Sequence, residues 1–260
     1  MDRLQDRVAV ITGGTRGIGR GIAEAFLAEG AKVVVSGRSA GKGQQALDEM
    51  KAGDRAHFIS CDVKDRTAVQ QLVDGTADHF GAVDILVNNA GGSDGFALVH
   101  EMTDEAWENC LNWSLNSAFW ATKCALRHMV ERQWGRIINI SSVEGKQASK
   151  AMVSHYITAK HALNGFTKAV AYEYGPRGIT SNAICPGAVE TDLMIEAGPS
   201  AAEAVGITYE EFLDGYAQES MIKRLNTSEE VAAMAVLLAS PEGGGITGSL
   251  LNVDGGTAAW

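Results

Sequence analysis

Short β-branched apolar runs alternate along the chain with stretches whose apolar residues recur every three to four positions. The runs read RVAVIT (7–12), AKVVVS (31–36), AHFISC (56–61), VDILVN (83–88), GRIINIS (135–141), GITSNAI (178–184) and SLLNVD (249–254). Between them lie amphipathic segments such as IGRGIAEAFLAEG (18–30) and TAVQQLVDGTADHF (67–80). Nearly continuous apolar runs are what strands covered on both faces require, so the pattern predicts an α/β fold. A doubly wound parallel sheet of about seven strands, with helices on each side, is expected. No internal repeat, low-complexity tract or linker interrupts residues 1–260, which implies a single domain. The alternation breaks once, at 192–226, before a helix opened by the capping pattern Thr227-Ser-Glu-Glu230. A connection of that length reads as a lid or a binding segment.

Composition narrows the classes. The formal net charge of −10 argues against a general nucleic-acid or anionic-membrane binder. Cys61, Cys110, Cys124 and Cys185 show no CxxC spacing and no paired histidines. Buried thiols in a reduced, cytoplasmic protein fit better than a disulfide framework or a metal site. The N-terminal MDRLQDRVAVITGG is charged and its apolar run is short, unlike a signal peptide or a membrane span.

The first apolar run enters TGGTRGIGRGIAEAF, placing Gly13, Gly17 and Gly19 between a strand and a helix. There, glycines let backbone amides approach a pyrophosphate at the helix N-terminus. An acidic residue near the end of the second strand normally bonds the ribose hydroxyls. Here that strand ends VVVSGRS, with Gly37 and Arg38 in its place and Arg16 in the preceding turn. Two guanidiniums and no carboxylate suit a 2′-phosphate. The alternative is that Arg38 is a solvated surface residue.

In SHYITAKHA (154–162), Tyr156 and Lys160 lie one turn apart on one helix face. Alone, the pair reads first as an amphipathic phenol beside a snorkelling amine, with a catalytic pair as the alternative. The wider pattern resembles the short-chain dehydrogenase/reductase family: TGGTRGIG, CDV (61–63), NNAG (88–91), ISS (140–142), YITAK (156–160), PGAVETDL (186–193) and ITGSLLNVDGG (246–256) follow in order. The resemblance implies a Rossmann-type fold and hydride exchange between a nicotinamide dinucleotide and a secondary alcohol or ketone. NADP(H) is the preferred cofactor on the arginine evidence, with NAD(H) as the alternative. By the same resemblance Thr15, Arg16 and Ile18 join the phosphate turn, and Asp62 and Val63 hold the adenine. Asn89, Ala90 and Gly91 line the cofactor, while Pro186, Gly187, Val189 and Thr191 embrace the nicotinamide. Tyr156 would be the general acid/base, Lys160 would position the nicotinamide ribose and Ser142 would hold the substrate oxygen. A free phenol has a pKa of about 10, and moving it about three units toward neutrality needs roughly 4 kcal/mol of differential interaction. The resemblance further implies a homotetramer assembled through residues 104–133 and 154–174.

Two positions depart from the family pattern. Its usual relay Asn falls at Ser114, seven residues past Trp107, with Asn112 and Asn116 on either side. On a regular helix a two-residue shift rotates about 200°, so those two would face away. Ser142 and Tyr156 are fourteen positions apart, where thirteen is usual, which adds a residue to the intervening loop.

The C-terminal half, from AKHALNGF to PGAVETDL, most resembles 3-hydroxybutyrate dehydrogenases, with a second likeness to 3-oxoacyl reductases. The carboxylate-gripping Gln, His and Lys of the former fall at Ser93, Glu144 and Val153. An anionic substrate would lose its cation and meet a like charge. Lys146 or Lys150 could compensate only by swinging inward from the loop. Met194, Ile195, Phe212, Leu213, Tyr216 and Met221 supply an apolar lid, with a tetramer contact as the alternative use for some of them. These residues predict a neutral, largely apolar small molecule, alicyclic or aryl-substituted, with Glu144 and Ser93 beside it. An acyl-thioester 3-ketone and a 3-hydroxy acid are the alternatives. A non-catalytic dinucleotide-binding redox sensor is the competing reading outside enzymes.

Overall fold

A computed structural model describes residues 2–204 and 206–258. The strands are β1 (Val8–Ile11), β2 (Lys32–Gly37), β3 (Ala56–Ser60), β4 (Ile85–Asn88), β5 (Gly135–Ile140), β6 (Ile179–Pro186) and β7 (Leu250–Val253). All seven apolar runs therefore became strands. They form one parallel sheet in the order β3-β2-β1-β4-β5-β6-β7.

Alternation along each strand sorts the core into two layers, because successive side chains point to opposite faces. Val33, Val35, Ile85, Val87, Ile138 and Ile140 face one layer, built with α1 (Gly17–Ala28) and α9 (Ser228–Ala239). Val34, Leu86 and Ile137 face the other, against α3 (Arg66–Phe80), α5 (Ser117–Arg132) and α6 (Ser154–Tyr174). The helix α2 (Ala40–Met50) packs on the β2–β3 edge, and α4 (Asp104–Leu111) leads into α5. No helix among the described residues is long and apolar enough to cross a membrane.

β1 has β2 on one side and β4 on the other, so the strand order reverses there. A crevice opens at such a point beyond the carboxyl ends of the strands. The glycine turn, CDV, NNAG, ISS, YITAK and PGAVETDL all lie at those ends or in the helices that follow.

The long connection folds into two helices, α7 (Asp192–Ala204) and α8 (Tyr209–Glu219). Thr208 and Glu211 form a reciprocal cap on α8, and the Tyr209 hydroxyl donates to the Met194 carbonyl at 3.2 Å. The expected Thr227–Glu230 box caps α9.

Candidate active site

The turn after β1 is built on Thr12. Its hydroxyl accepts from the Asn89 and Ala90 amides at 3.0 Å each, joining the end of β4 to the glycine turn. The Asn89 side chain donates to the Thr12 and Gly13 carbonyls at 2.9 and 3.0 Å. A Cβ on Gly19 would overlap both Asn89 Nδ2 and the Gly13 carbonyl, so only glycine fits. Gly13 and Gly17 adopt φ of +63° and +54°, a region that penalises side chains. The first turn of α1 carries no acidic residue and no side-chain cap from its N-cap residue, Arg16. These features fit an anionic dinucleotide backbone: a narrow glycine floor and a helix N-terminus with no acidic residue in its own first turn.

Thr15 packs against Gly37, and Ile18 packs against the α1–α9 core layer. Arg38 is exposed just beyond β2, and Arg16 pairs with Glu196 at 3.1 Å. Asp62 accepts from the Lys64 amide at 3.0 Å and Val63 is buried. Gly187 abuts the Asp254 backbone, Val189 bridges to Asn226, and the Thr191 hydroxyl accepts from the Met194 amide at 3.4 Å. Pro186 closes β6.

Ser142 follows β5 and caps a short turn by accepting from the Glu144 amide at 3.1 Å. Tyr156 and Lys160 project from the first turns of α6 toward it. The Lys160 ammonium is buried, donates to the Ile140 carbonyl at 2.8 Å and stands 5.5 Å from the Tyr156 ring centroid. Burial pulls this amine down to about 8. Burial also pushes the Tyr156 phenol up to about 12, with hydrogen bonding from Ser142 acting the other way and Glu144 adding to the rise. Three polar groups thus converge beside the cradle, with Ser142 and Lys160 buried and Tyr156 half-buried.

Ser114 departs from the regular-helix expectation. Residues Asn112–Asn116 form a π turn between α4 and α5, so the rotation estimate for their side chains does not apply. Asn116 donates to Asn112 at 2.7 Å. Ser114 is buried, and its hydroxyl lies 3.0 Å from both the amide and the carbonyl of Gly92. A Cβ on Gly91 would stand 3.1 Å from Ser114 Oγ and 3.3 Å from Lys160 Nζ, which places Ser114 near the pocket.

On the side away from the cradle, Val153 is buried and Ser93 is half-buried. Glu144 is buried, and its carboxylate accepts from the Ser149 amide at 3.0 Å and from the Ser149 hydroxyl. Both loop lysines are engaged by other residues. Lys146 donates to Asn252 at 2.7 Å, and Lys150 pairs with Glu219 over the Tyr216 ring. Phe96 and Met152 are exposed where their loops meet, joined by the Ala97 amide donating to the Met152 carbonyl at 3.0 Å.

Sequence reading missed three contributors. His155 is wholly buried, with Nε2 at 3.2 Å from the Asp94 amide and 3.3 Å from its carbonyl, and so ties the 92–97 loop to α6. Its only signal was adjacency to Tyr156. Asp192 and Glu196 reach the glycine turn from α7, and no local pattern announced them.

A family model described as short chain dehydrogenase matches residues 7–201. The short-chain reductase protein NovJ of Streptomyces niveus is 39% identical over 97% of this chain and 94% of its own length. A D-beta-hydroxybutyrate dehydrogenase from Cupriavidus necator is 36% identical over 98% and 99%. The crystal structure of an actinorhodin polyketide ketoreductase variant with NADPH superposes with a TM-score of 0.92 at 36% identity, covering 98% of both chains. The chain therefore belongs to the short-chain dehydrogenase family and is an NAD(P)-dependent oxidoreductase.

Proposed function

We propose that the chain interconverts a neutral, largely apolar secondary alcohol, alicyclic or aryl-substituted, with its ketone, and prefers NADP(H) to NAD(H). The observation that carries this reading is the convergence of buried Ser142 and Lys160 with half-buried Tyr156 beside the glycine cradle. When bound, the cofactor supplies or accepts the hydride. Tyr156 passes the proton, Ser142 holds the substrate oxygen, and Lys160 holds the nicotinamide ribose. Gly13, Gly17, Gly19 and Ile18 hold the pyrophosphate, Asp62 and Val63 the adenine, and Arg38 a 2′-phosphate. The NADPH of the ketoreductase neighbour supports that preference.

Substrate charge separates the neutral alcohol from the hydroxy acid. Glu144 is committed to Ser149, Val153 is apolar, and Lys146 and Lys150 are held elsewhere. A carboxylate would find no cation among these residues. Against 3-hydroxybutyrate, neutral cyclic and aryl alcohols should show kcat/KM higher by about tenfold or more, since an unpaired buried charge costs at least 1–2 kcal/mol. A higher kcat/KM for the hydroxy acid would overturn the assignment.

Ser114 has a supporting role. Removing its hydroxyl leaves the Gly92 amide without this partner, so Ser114→Ala should destabilise the fold by about 1–2 kcal/mol. Turnover should slow yet stay measurable across the pH range. A variant matching the parent in rate at every pH would move the relay elsewhere.

Lys160 gives a pH signature. Between pH 8 and 10.5 the unfolded chain still carries the ammonium while the folded chain has shed it. Stability should therefore rise with pH through that window, by about 2 kcal/mol from pH 8 to 10 relative to Lys160→Met. Urea unfolding measures it, and parallel curves for parent and variant would contradict the buried ammonium.

A further inference from the structure

The helix α1 begins at Gly17 without a cap from its own neighbourhood, yet its first amide is not left to water. It donates at 2.9 Å to the carboxylate of Asp192, at the start of α7. Beside it, the Arg16 guanidinium pairs with Glu196 at 3.1 Å. Asp192 and Glu196 are four positions apart and so share one face of α7. One helix thus presents two carboxylates to the N–H and the cation best placed to attract a dinucleotide's phosphates.

These contacts are exposed at their outer ends. The side chains of Arg16 and Glu196 are 44% and 58% accessible, so the pair is screened and easily exchanged. A better anion can displace it. An incoming diphosphate would also meet two like charges at short range, which disfavours both occupying the cradle together.

We infer that Asp192 and Glu196 form an anionic latch that competes with the cofactor's phosphates and so sets cofactor affinity and selectivity. Asp192 holds the Gly17 amide, which any nicotinamide dinucleotide needs, and therefore opposes NAD(H) and NADP(H) alike. Glu196 holds Arg16, one of the two guanidiniums assigned to the 2′-phosphate, and therefore opposes NADP(H) more than NAD(H). The inference rests on the proposed reading of the glycine turn as the phosphate site. It adds a role for α7 that is separate from walling the substrate.

The test is calorimetric titration of the parent chain, Asp192→Asn, Asp192→Ala and Glu196→Gln with NADP+ and with NAD+, alongside thermal melts. Both Asp192 variants should bind both dinucleotides about three- to tenfold more tightly, and Glu196→Gln should gain a similar factor for NADP+ and less than about twofold for NAD+. Unchanged or weaker binding in these variants, with a parent that binds, would overturn the latch and leave the phosphate site standing. Weaker binding together with a lowered melting temperature would identify Asp192 as a structural cap instead. A parent that binds neither dinucleotide would overturn the phosphate site and the latch together.

Discussion

Tyr156→Phe should lower kcat by about 10³-fold or more, the scale of a lost general acid/base, while dinucleotide affinity stays within about twofold of the parent. The substitution removes one oxygen and keeps the ring, so packing against Lys160 survives with little change in volume. What disappears is the group assigned to carry the proton. Burial keeps the free phenol protonated up to about pH 12, so in this state it is poised to donate, as ketone reduction requires. Acting as a base requires an added positive charge beside it. The buried Lys160 ammonium, at about 8, supplies that charge only in the lower part of the pH range. Turnover by Tyr156→Phe within about tenfold of the parent would assign the proton to another group.

Arg38→Asp should shift the ratio of kcat/KM for NADPH over NADH by about 10²- to 10³-fold in favour of NADH. Arg38 stands exposed beyond β2, at the place where a carboxylate would serve a ribose hydroxyl pair. The arginine offers a charge-assisted fork to a phosphate, and the aspartate would replace it with repulsion. Both changes act on the 2′-phosphate, so they add in the ratio, whereas kcat for the preferred cofactor should move little. Comparable kcat/KM for NADPH and NADH in the parent chain would refute the preference.

Much of the architecture was legible because it is local. A strand buried on both faces must be apolar along its whole length, which is why β5 and β6 announce themselves without their neighbours. Positive φ and close backbone approach demand glycine, so Gly13, Gly17 and Gly19 mark the turn before any contact is seen. Helical period places Tyr156 and Lys160 on one face, and the Thr227–Glu230 box names the start of α9.

Other features were decided only by the folded chain. The π turn at Asn112–Asn116 breaks the period on which sequence reasoning relies, so the surroundings of Ser114 could not be extrapolated from 3.6 residues per turn. The Asn89 side-chain amide donates to the Thr12 and Gly13 carbonyls across 77 and 76 residues of chain, a pairing that no local pattern encodes. Lys146 and Lys150 were free to face the substrate until Asn252 and Glu219, more than 65 residues away, held them elsewhere. The perturbed Lys160 amine follows from burial, which no spacing encodes. The carboxylates on the cradle come from α7, some 175 residues beyond Gly17. Local sequence determines period, backbone conformation and capping, because these depend on neighbours within a turn or two. Which distant side chain satisfies a given donor or charge depends on how the layers pack, and only the tertiary structure decides it.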